Sequence, residues 1–410
     1  MSTDVDVAIV GGGPAGAAAA HALASAGRSV LVCERKVFPR EKTCGDGLTP
    51  RAVKMLKRMG LGPELDRWER VKGLRAHGGG RTLELDFPEL DDWADYGLVK
   101  PRKDLDRLVL ERAEIAGAKV LLGTEVKRPL FSDGVCTGFV ASRDGLEEEV
   151  RGRWVVCAEG ASTKMTRALG RDRNLDYPMG LAIRQYFRSP LEHSGWFDAF
   201  MSIRTADSAL PGYGWVFPVG DGTVNAGVGL LSTYGGWRDV NLHDLQDGFV
   251  SSLPPEWEIS AATACSRPRA GRLFMGSSVW PPHGPGFVLA GDAAGMINPC
   301  NGEGIAYGYE TGYIAGRHID AALKDGISQS LDGYTQELKD TYEPYYRLGR
   351  RFVRVIGNPV VMDRLVSVGM RSRNVMSLAF TMLANLEQEG GNGMQQRAFK
   401  ILKKLAELKP

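Results

Sequence analysis

A Gly-x-Gly-x-x-Gly run, Gly11 to Gly16, follows the apolar stretch Val5 to Val10, and Glu34 closes the next apolar run. In that context Gly11 makes a tight turn, Gly13 lets phosphates approach the backbone, and Gly16 lets a helix pack on the strand. Pro14 and Ala15 open that helix, whose N-terminal N–H groups and dipole attract a pyrophosphate, while the Glu34 carboxylate accepts a ribose hydroxyl. A plain glycine turn in a βαβ unit is the competing reading. The run alone does not separate NAD from FAD.

A second patch joins Gly291-Asp292-Ala293-Ala294-Gly295 to Asn298-Pro299 and Gly302-Glu303-Gly304-Ile305. Asp292, at the end of a buried strand, is placed to accept from a ribityl hydroxyl. The next helix start, with Gly302, Gly304 and Ile305, directs its dipole at the pyrophosphate or a flavin pyrimidine ring. NAD has no ribityl chain, so FAD is the expected cofactor. The competing reading makes Asp292 a helix N-cap.

Two further groups suit an apolar substrate. In a strand, Tyr213, Trp215 and Phe217 share one face and form an aromatic wall, Pro218 limits further pairing, and Gly227 and Gly229 in the facing strand leave a groove opposite it. Cys44, in Cys44-Gly45-Asp46-Gly47, carries a thiol that is neutral at pH 7 and can donate a proton. The competing readings are a half-buried sheet face and a small buried hydrophobe.

The chain has 410 residues, room for two or three domains or one large mixed one. Lys+Arg of 51 against Asp+Glu of 49 gives a formal charge of +2, which argues against a nucleic-acid partner held by bulk charge. The six cysteines are scattered, with no zinc spacing, so no metal is expected and the thiols read as reduced in a cytoplasmic protein. No signal peptide is expected before the first strand, and no apolar run nears the roughly 20 residues that span a bilayer. The six histidines are separated and read as packing or surface residues.

The elements that must position these groups follow from periodicity. Helices are expected at Ala15–Ala26, Pro50–Met59 and Asp104–Ala116, and strands at Ser29–Glu34 and Ala118–Leu122. Val71–Phe87 reads as a hairpin, Val135–Val150 as a short meander, and Trp154–Ala158 as a separate buried strand. Long alternating strands follow, among them Gly180–Phe187 and Tyr213–Leu230, before the chain returns to a buried parallel strand at Phe287–Asp292. After Gly304 it is mostly helical, with breaks near Gly357-Asn358-Pro359 and at Gly390-Gly391-Asn392-Gly393.

The fold class is therefore α/β: a Rossmann-type FAD-binding domain, interleaved with an antiparallel β-sheet substrate domain, plus C-terminal helices. The expected boundaries are 1–70, 98–176 and 277–327 for the FAD domain, 71–97 and 177–276 for the sheet domain, and 328–410 for the helices.

With both glycine patches present, the chain to about residue 325 resembles the FAD-dependent family that includes para-hydroxybenzoate hydroxylase. Tyr213-x-Trp215-x-Phe217-Pro218 with Gly227-x-Gly229, and Cys44-Gly45-Asp46-Gly47, narrow the resemblance to the geranylgeranyl reductase family. The resemblance implies cofactor contacts at Arg35, Cys44, Gly45, Arg102 and Val126, with Arg102 near the phosphates. Glu159 stands where that family more often has Asp and is not expected at the site.

It also implies an enzyme that saturates C=C bonds of a polyprenyl chain by hydride from reduced flavin N5 plus a proton, with Cys44 as donor or as shaper of the flavin's substrate face. Within the family the chain looks most like the bacterial members that saturate one isoprene unit of the menaquinone tail. Alternatives are a geranylgeranyl diphosphate or prenyl-lipid reductase, with Arg184, Arg188 and Arg204 as diphosphate candidates, an aromatic hydroxylase, and a non-catalytic prenyl-lipid carrier. The electron donor is NAD(P)H or a redox protein. The basic and aromatic segment Tyr345–Arg354, with amphipathic stretches in Met362–Leu386, suits peripheral contact with the inner face of the cell membrane.

Overall fold

The computed structural model describes residues 2–191, 193–204, 209–327 and 330–386. The strand Ser2–Val10 runs parallel to Val30–Glu34 on one side and Leu146–Cys157 on the other, with Val7 opposite both Val30 and Trp154. Lys119–Leu122 and Phe287–Leu289 extend the parallel sheet outward. Val7, Ala8 and Ile9 have no exposed surface, as expected of central parallel strands covered on both faces.

The helix Pro14–Ser25 is alanine-rich because it is wedged between other elements. Ala15 and Ala17 to Ala20 are all buried, and small side chains let the helix Ile305–Lys324 lie close. The helix Arg102–Ile115 packs beside it.

Leu146–Cys157 serves two neighbours. Leu146 to Arg151 pair antiparallel with Val135–Arg143, while Glu149 to Cys157 run parallel to the first strand, so Glu149 to Arg151 serve both. The stretch Trp154–Ala158, expected as a separate strand, is thus mostly the end of one 12-residue strand. Pairing with the first strand continues through Gly152.

The second sheet has seven strands, in the order Arg269–Phe274, Met179–Arg188, Thr223–Leu231, Gly212–Pro218, Phe197–Phe200, Gly73–Gly78 and Arg81–Asp86. The expected long strand Tyr213–Leu230 is a hairpin, turning at Val219 to Gly222. Gly220 and Gly222 take positive φ of 82° and 84° there, which explains why unbroken alternation in the sequence hides a reversal. Register sets Tyr213, Trp215 and Phe217 opposite Gly229, Gly227 and Asn225, and these opposite Ala182, Arg184 and Tyr186. All nine share one face. A small sheet of Gly47–Leu48, Gly97–Val99 and Glu69–Val71 receives the chain as it leaves the Cys44 loop.

The helix Asp332–Ile356 ends at the expected break, where Gly357 closes it and Asn358 caps Pro359–Gly369. The break at Gly390–Gly393 lies outside the described residues. Tyr345 and Tyr346, expected at a membrane headgroup level, point inward instead. Their hydroxyls donate to the carbonyls of Leu383 at 2.9 Å and Met296 at 2.7 Å, and Arg350 is also buried, on Gly276 O and Glu343. That face of the helix rivets the Met296–Gly304 segment in place.

Candidate active site

The nucleotide end is built by the first turn. A Cβ on Gly16 would collide with the Gly11 carbonyl oxygen, and Gly11 has φ of 94°. The helix beginning at Pro14 has no side-chain cap and no acidic residue in its first turn, so its leading N–H groups have no side-chain acceptor. Both oxygens of the buried Glu34 carboxylate are fixed at 2.9 Å, one by the Gly12 N–H and one by the Lys36 N–H. An uncapped helix start beside an oriented carboxylate is what a diphosphate and its ribose require. Arg35 is exposed just beyond Glu34, and Val126 is half-buried on the strand Glu125–Ser132.

Sequence reasoning missed two cations here. Arg40 lies 2.9 Å from Asp106 and 3.7 Å from Glu34, and Lys42 lies 3.8 Å from Asp292. Neither stands in a pattern that distinguishes it from a surface residue.

Asp292 sits on the short turn Gly291–Ala294, and its side chain does not cap it. A Cβ on Gly304 would stand 3.4 Å from Asp292 Oδ1, so the aspartate flanks the start of the helix Ile305–Lys324. That helix also lacks a side-chain cap and an acid in its first turn. Gly302 lies at the wall's Tyr213 end, and Ile305 is buried at the helix start. The residues present therefore fit FAD at both ends, with Asp292 between them. Glu159 instead accepts from Met165 N–H, Thr166 N–H and Thr166 Oγ1 at 3.2, 2.7 and 2.7 Å, capping the turn of helix Lys164–Ala168.

Arg102 opens its helix from a buried position and shares Asp106 with Arg40. Its guanidinium is buried and grips Asp106 with two hydrogen bonds of 2.6 and 2.8 Å, because the two residues are one helical turn apart. Its charge also reaches the Cys44 thiol, drawing the proton affinity down against the larger effect of burial, which pushes the thiol up.

The Cys44 loop lies directly on the aromatic wall. A Cβ on Gly45 would stand 3.2 Å from the Phe217 ring and 3.3 Å from Trp215 Nε1. Asn225 joins the two: its amide donates to Cys44 O at 2.9 Å and to Asp46 Oδ2 at 2.8 Å, and its oxygen accepts from Trp215 Nε1 at 3.1 Å. Asp46 also accepts from the Tyr186 hydroxyl and from Arg102 N–H at 3.2 Å, while its own N–H donates to Cys44 Sγ at 3.4 Å. Complete burial pushes the Asp46 carboxyl up to about 6, against these hydrogen bonds and the charges of Arg184 and Arg102. Sequence reading assigned nothing to Asp46, Tyr186 or Asn225, although Asp46 lies inside a quoted motif.

The wall itself is continuous. Ring centroids are 5.9 Å apart from Tyr213 to Trp215 and 6.4 Å from Trp215 to Phe217. The groove expected opposite it is partly filled: a Cβ on Gly227 would collide with the Trp215 indole, so that glycine lets the indole lie flat on the neighbouring strand. Gly229 leaves more room, with the nearest indole atom 3.8 Å from a Cβ position. Pro218 ends its strand opposite Val224.

Of the three candidate arginines, Arg184 is fully buried, donating to Glu41 at 2.5 Å and to Lys42 O at 3.0 Å. Arg188 and Arg204 are exposed, the latter on a separate two-stranded ribbon. Several histidines pair with carboxylates: His77 with Asp198 at 2.7 Å, His283 with Asp332 at 3.2 Å and His318 with Glu337 at 2.7 Å. Among the described residues no helix is long and apolar enough to cross a membrane.

A profile of the FAD binding domain matches residues 4–244. The chain is 37% identical to a menaquinone reductase of Mycolicibacterium smegmatis, over 94% of this chain and 93% of that one. It is 30% identical to digeranylgeranylglycerophospholipid reductase 1 of Methanopyrus kandleri, over 83% and 88%. Among solved structures, a geranylgeranyl bacteriochlorophyll reductase-like protein of Thermoplasma acidophilum shares the fold with a TM-score of 0.81 at 20% identity, covering 98% of this chain and 100% of that one. FAD is the cofactor. With both glycine patches, the Cys44 loop and the aromatic wall in one site, the chain belongs to the geranylgeranyl reductase family of FAD-dependent oxidoreductases.

Proposed function

We propose that this enzyme saturates a C=C bond in one isoprene unit of a menaquinone tail. The observation that carries the reading is the seating of the Cys44 loop, through Gly45, against Trp215 and Phe217, which brings the loop that carries the thiol onto the aromatic wall. The likeness to a menaquinone reductase over nearly the whole chain supports the choice of tail.

When bound and reduced, FAD supplies a hydride. The remaining work falls to the protein. Gly11 to Gly16, Glu34 and Asp292 hold the cofactor; Tyr213, Trp215 and Phe217 hold the alkene and exclude water; and Cys44 delivers the proton to the second carbon. Burial keeps the thiol protonated, and Asp46, Asn225 and Tyr186 fix its loop.

A lipid substrate also suits the far side. Ring centroids run from Phe217 to Phe197 at 4.5 Å, on to Phe87 at 6.2 Å and to Phe380 at 5.3 Å. That row reaches the helix Arg373–Leu383, and this helix and its neighbours expose Val355, Val360, Leu365, Val368 and Val375 beside Arg354, Arg364 and Arg371. We assign this aliphatic and basic patch to contact with the cytoplasmic membrane face, in place of the aromatic contact expected from sequence.

The test is anaerobic. Reduced holoprotein is mixed with menaquinone, the quinone ring is reoxidised, and the product is weighed. A gain of two hydrogens that survives ring reoxidation supports tail saturation; reoxidised flavin with an unchanged tail mass overturns it.

A further inference from the structure

Asp46 holds a backbone conformation that its side chain explains. Its φ is 64°, in the left-handed region that residues with a Cβ rarely adopt. Glycine would take that turn without strain, yet the glycines of the loop stand on either side of it and serve another purpose. A Cβ on Gly45 would stand 3.2 Å from the Phe217 ring, and one on Gly47 would stand 3.1 Å from both Phe197 and Phe217. Those two residues are bare because they rest on aromatic rings. Between them, Asp46 supplies the side chain that anchors the loop.

That side chain is fully buried and is engaged by three elements. Oδ1 accepts at 3.2 Å from the Arg102 N–H, at the start of the helix Arg102–Ile115. Oδ2 accepts from the Asn225 amide at 2.8 Å and from the Tyr186 hydroxyl, which sit opposite each other on adjacent strands. The main chain is held as well, because the Asp46 carbonyl accepts from the Lys100 N–H at 3.1 Å. A strained residue persists when its surroundings over-determine it in this way. The turn has a chemical consequence: it lets the Asp46 N–H donate to Cys44 Sγ at 3.4 Å.

That contact changes strength during the step assigned to Cys44. A neutral thiol is a weak acceptor. When the alkene carbon takes the proton, a C–H bond forms as the S–H bond breaks, and the S–H electron pair stays on sulfur. The hydride, with its own electron pair, goes to the other alkene carbon. A hydrogen bond to an ionised acceptor is about twice as strong as a neutral one, and a buried thiolate without donors is costly. A donor already aimed at the atom where charge develops therefore favours proton transfer over the resting thiol. The thiolate regains its proton from water before the next turnover.

We propose that Asp46 is the positioning residue of this proton transfer: its clamped carboxyl holds the left-handed turn, and the N–H so aimed stabilises the Cys44 thiolate. The proposal rests on the prenyl-reduction reading. Arg102 and the Asp46 N–H draw the thiol proton affinity down, while burial and the Asp46 carboxylate push it up; Tyr213 and Tyr309, also nearby, keep their protons because burial raises both. The carboxylate charge that opposes the thiolate is itself held by Tyr186 and Asn225 and by the charges of Arg184 and Arg102.

The experiment uses oxidised holoprotein and compares Asp46→Asn with Asp46→Ala, two variants that both lack the carboxylate charge. Asn tolerates the left-handed backbone and keeps an oxygen for Tyr186 and Asn225, whereas Ala does neither. The readout is the pH dependence of iodoacetamide alkylation at the half-buried Cys44, with Cys44→Ala as the background for the other cysteines; it needs no substrate. The thiol should titrate at least ~1 pH unit lower in Asp46→Asn than in Asp46→Ala, the worth of a hydrogen bond to a charged group. Single-turnover reduction of a menaquinone tail should be at least ~10-fold faster in Asp46→Asn than in Asp46→Ala. Bound FAD per chain and the unfolding midpoint report whether each variant folds. Asp46→Gly, which reaches the turn without strain but lacks the anchor, replaces Asp46→Ala where that variant loses FAD, and should titrate above Asp46→Asn by the same margin. The same thiol titration in Asp46→Asn and in the unanchored variant overturns the proposal. A wild-type protein that reduces no tail overturns the prenyl reading, and the alkylation result then still decides whether the Asp46 N–H supports the thiolate.

Discussion

Asn225 donates to the Asp46 carboxylate at 2.8 Å while accepting from Trp215 Nε1 at 3.1 Å, so one side chain ties the thiol loop to the aromatic wall. Asn225→Ala leaves a buried indole N–H and a buried carboxyl each short of a partner. Orphaned buried groups cost about 1–3 kcal/mol apiece, so urea unfolding of the holoprotein should show a loss of about 3 kcal/mol with an unchanged m-value. A loss below about 1 kcal/mol would show that the loop is held by other contacts.

Cys44→Ala removes the proposed acid without touching the nucleotide turn. Positioned acids contribute about 10²–10⁴-fold, so single-turnover tail reduction should fall at least ~100-fold with normal FAD content. Full turnover by this variant would remove the thiol from the chemistry and leave it a packing role.

Gly227→Ala tests whether the flat indole matters. The new methyl collides with the Trp215 indole and with the Ile183 carbonyl oxygen of the neighbouring strand, so the indole and the local strand pairing must both shift. Overpacking of this kind costs about 1–3 kcal/mol. The indole fluorescence should change, and KM for the prenyl chain should rise more than kcat falls. Unchanged fluorescence and KM would show that the indole does not shape the substrate surface.

The buried acid also gives a pH dependence of stability with a definite sign. Glu303 moves from 4.5 to about 7 on folding, so its contribution is fully present below 4.5 and is lost as pH rises through 7. At about 1.36 kcal/mol per pH unit the wild type should lose about 3 kcal/mol relative to Glu303→Gln between pH 4.5 and 8. Parallel stability curves for the two proteins would show that Glu303 ionises without penalty.

What could be read in the sequence was local. The glycine turn, Glu34 and the wall's two-residue period each depend on neighbours within a few residues, and the structure places them in the expected elements. Asn225 and Glu303 could not be read this way. Asn225 looks like an odd polar residue in an apolar strand until register sets it opposite Phe217 and Tyr186, and Glu303 becomes unusual only when the fold buries it against Thr49, 254 positions earlier in the numbering. Arg102 shows the same limit, since its partner Asp106 is visible in the sequence one turn away but the burial of the pair is not. Tyr345 and Tyr346 have an interfacial composition, and only the carbonyls of Leu383 and Met296 show which way they point.

The aliphatic patch offers the last test. Val360 is 67% exposed, Leu365 50% and Val368 64%, a cost in water that a lipid surface would relieve. Each basic residue near an anionic surface adds about 1 kcal/mol, so Arg354, Arg364 and Arg371 should make binding to phosphatidylserine-containing vesicles fall with salt without abolishing it. Val360→Asp with Leu365→Asp removes apolar contact from a surface region outside the active site; vesicle cosedimentation should drop more than ~10-fold, while reduction of a detergent-dispersed tail stays unchanged. The double variant sedimenting as well as the wild type would place membrane contact elsewhere on the protein, whereas a matching loss of detergent activity would mean that this patch guides the chain itself toward Phe380 and the wall.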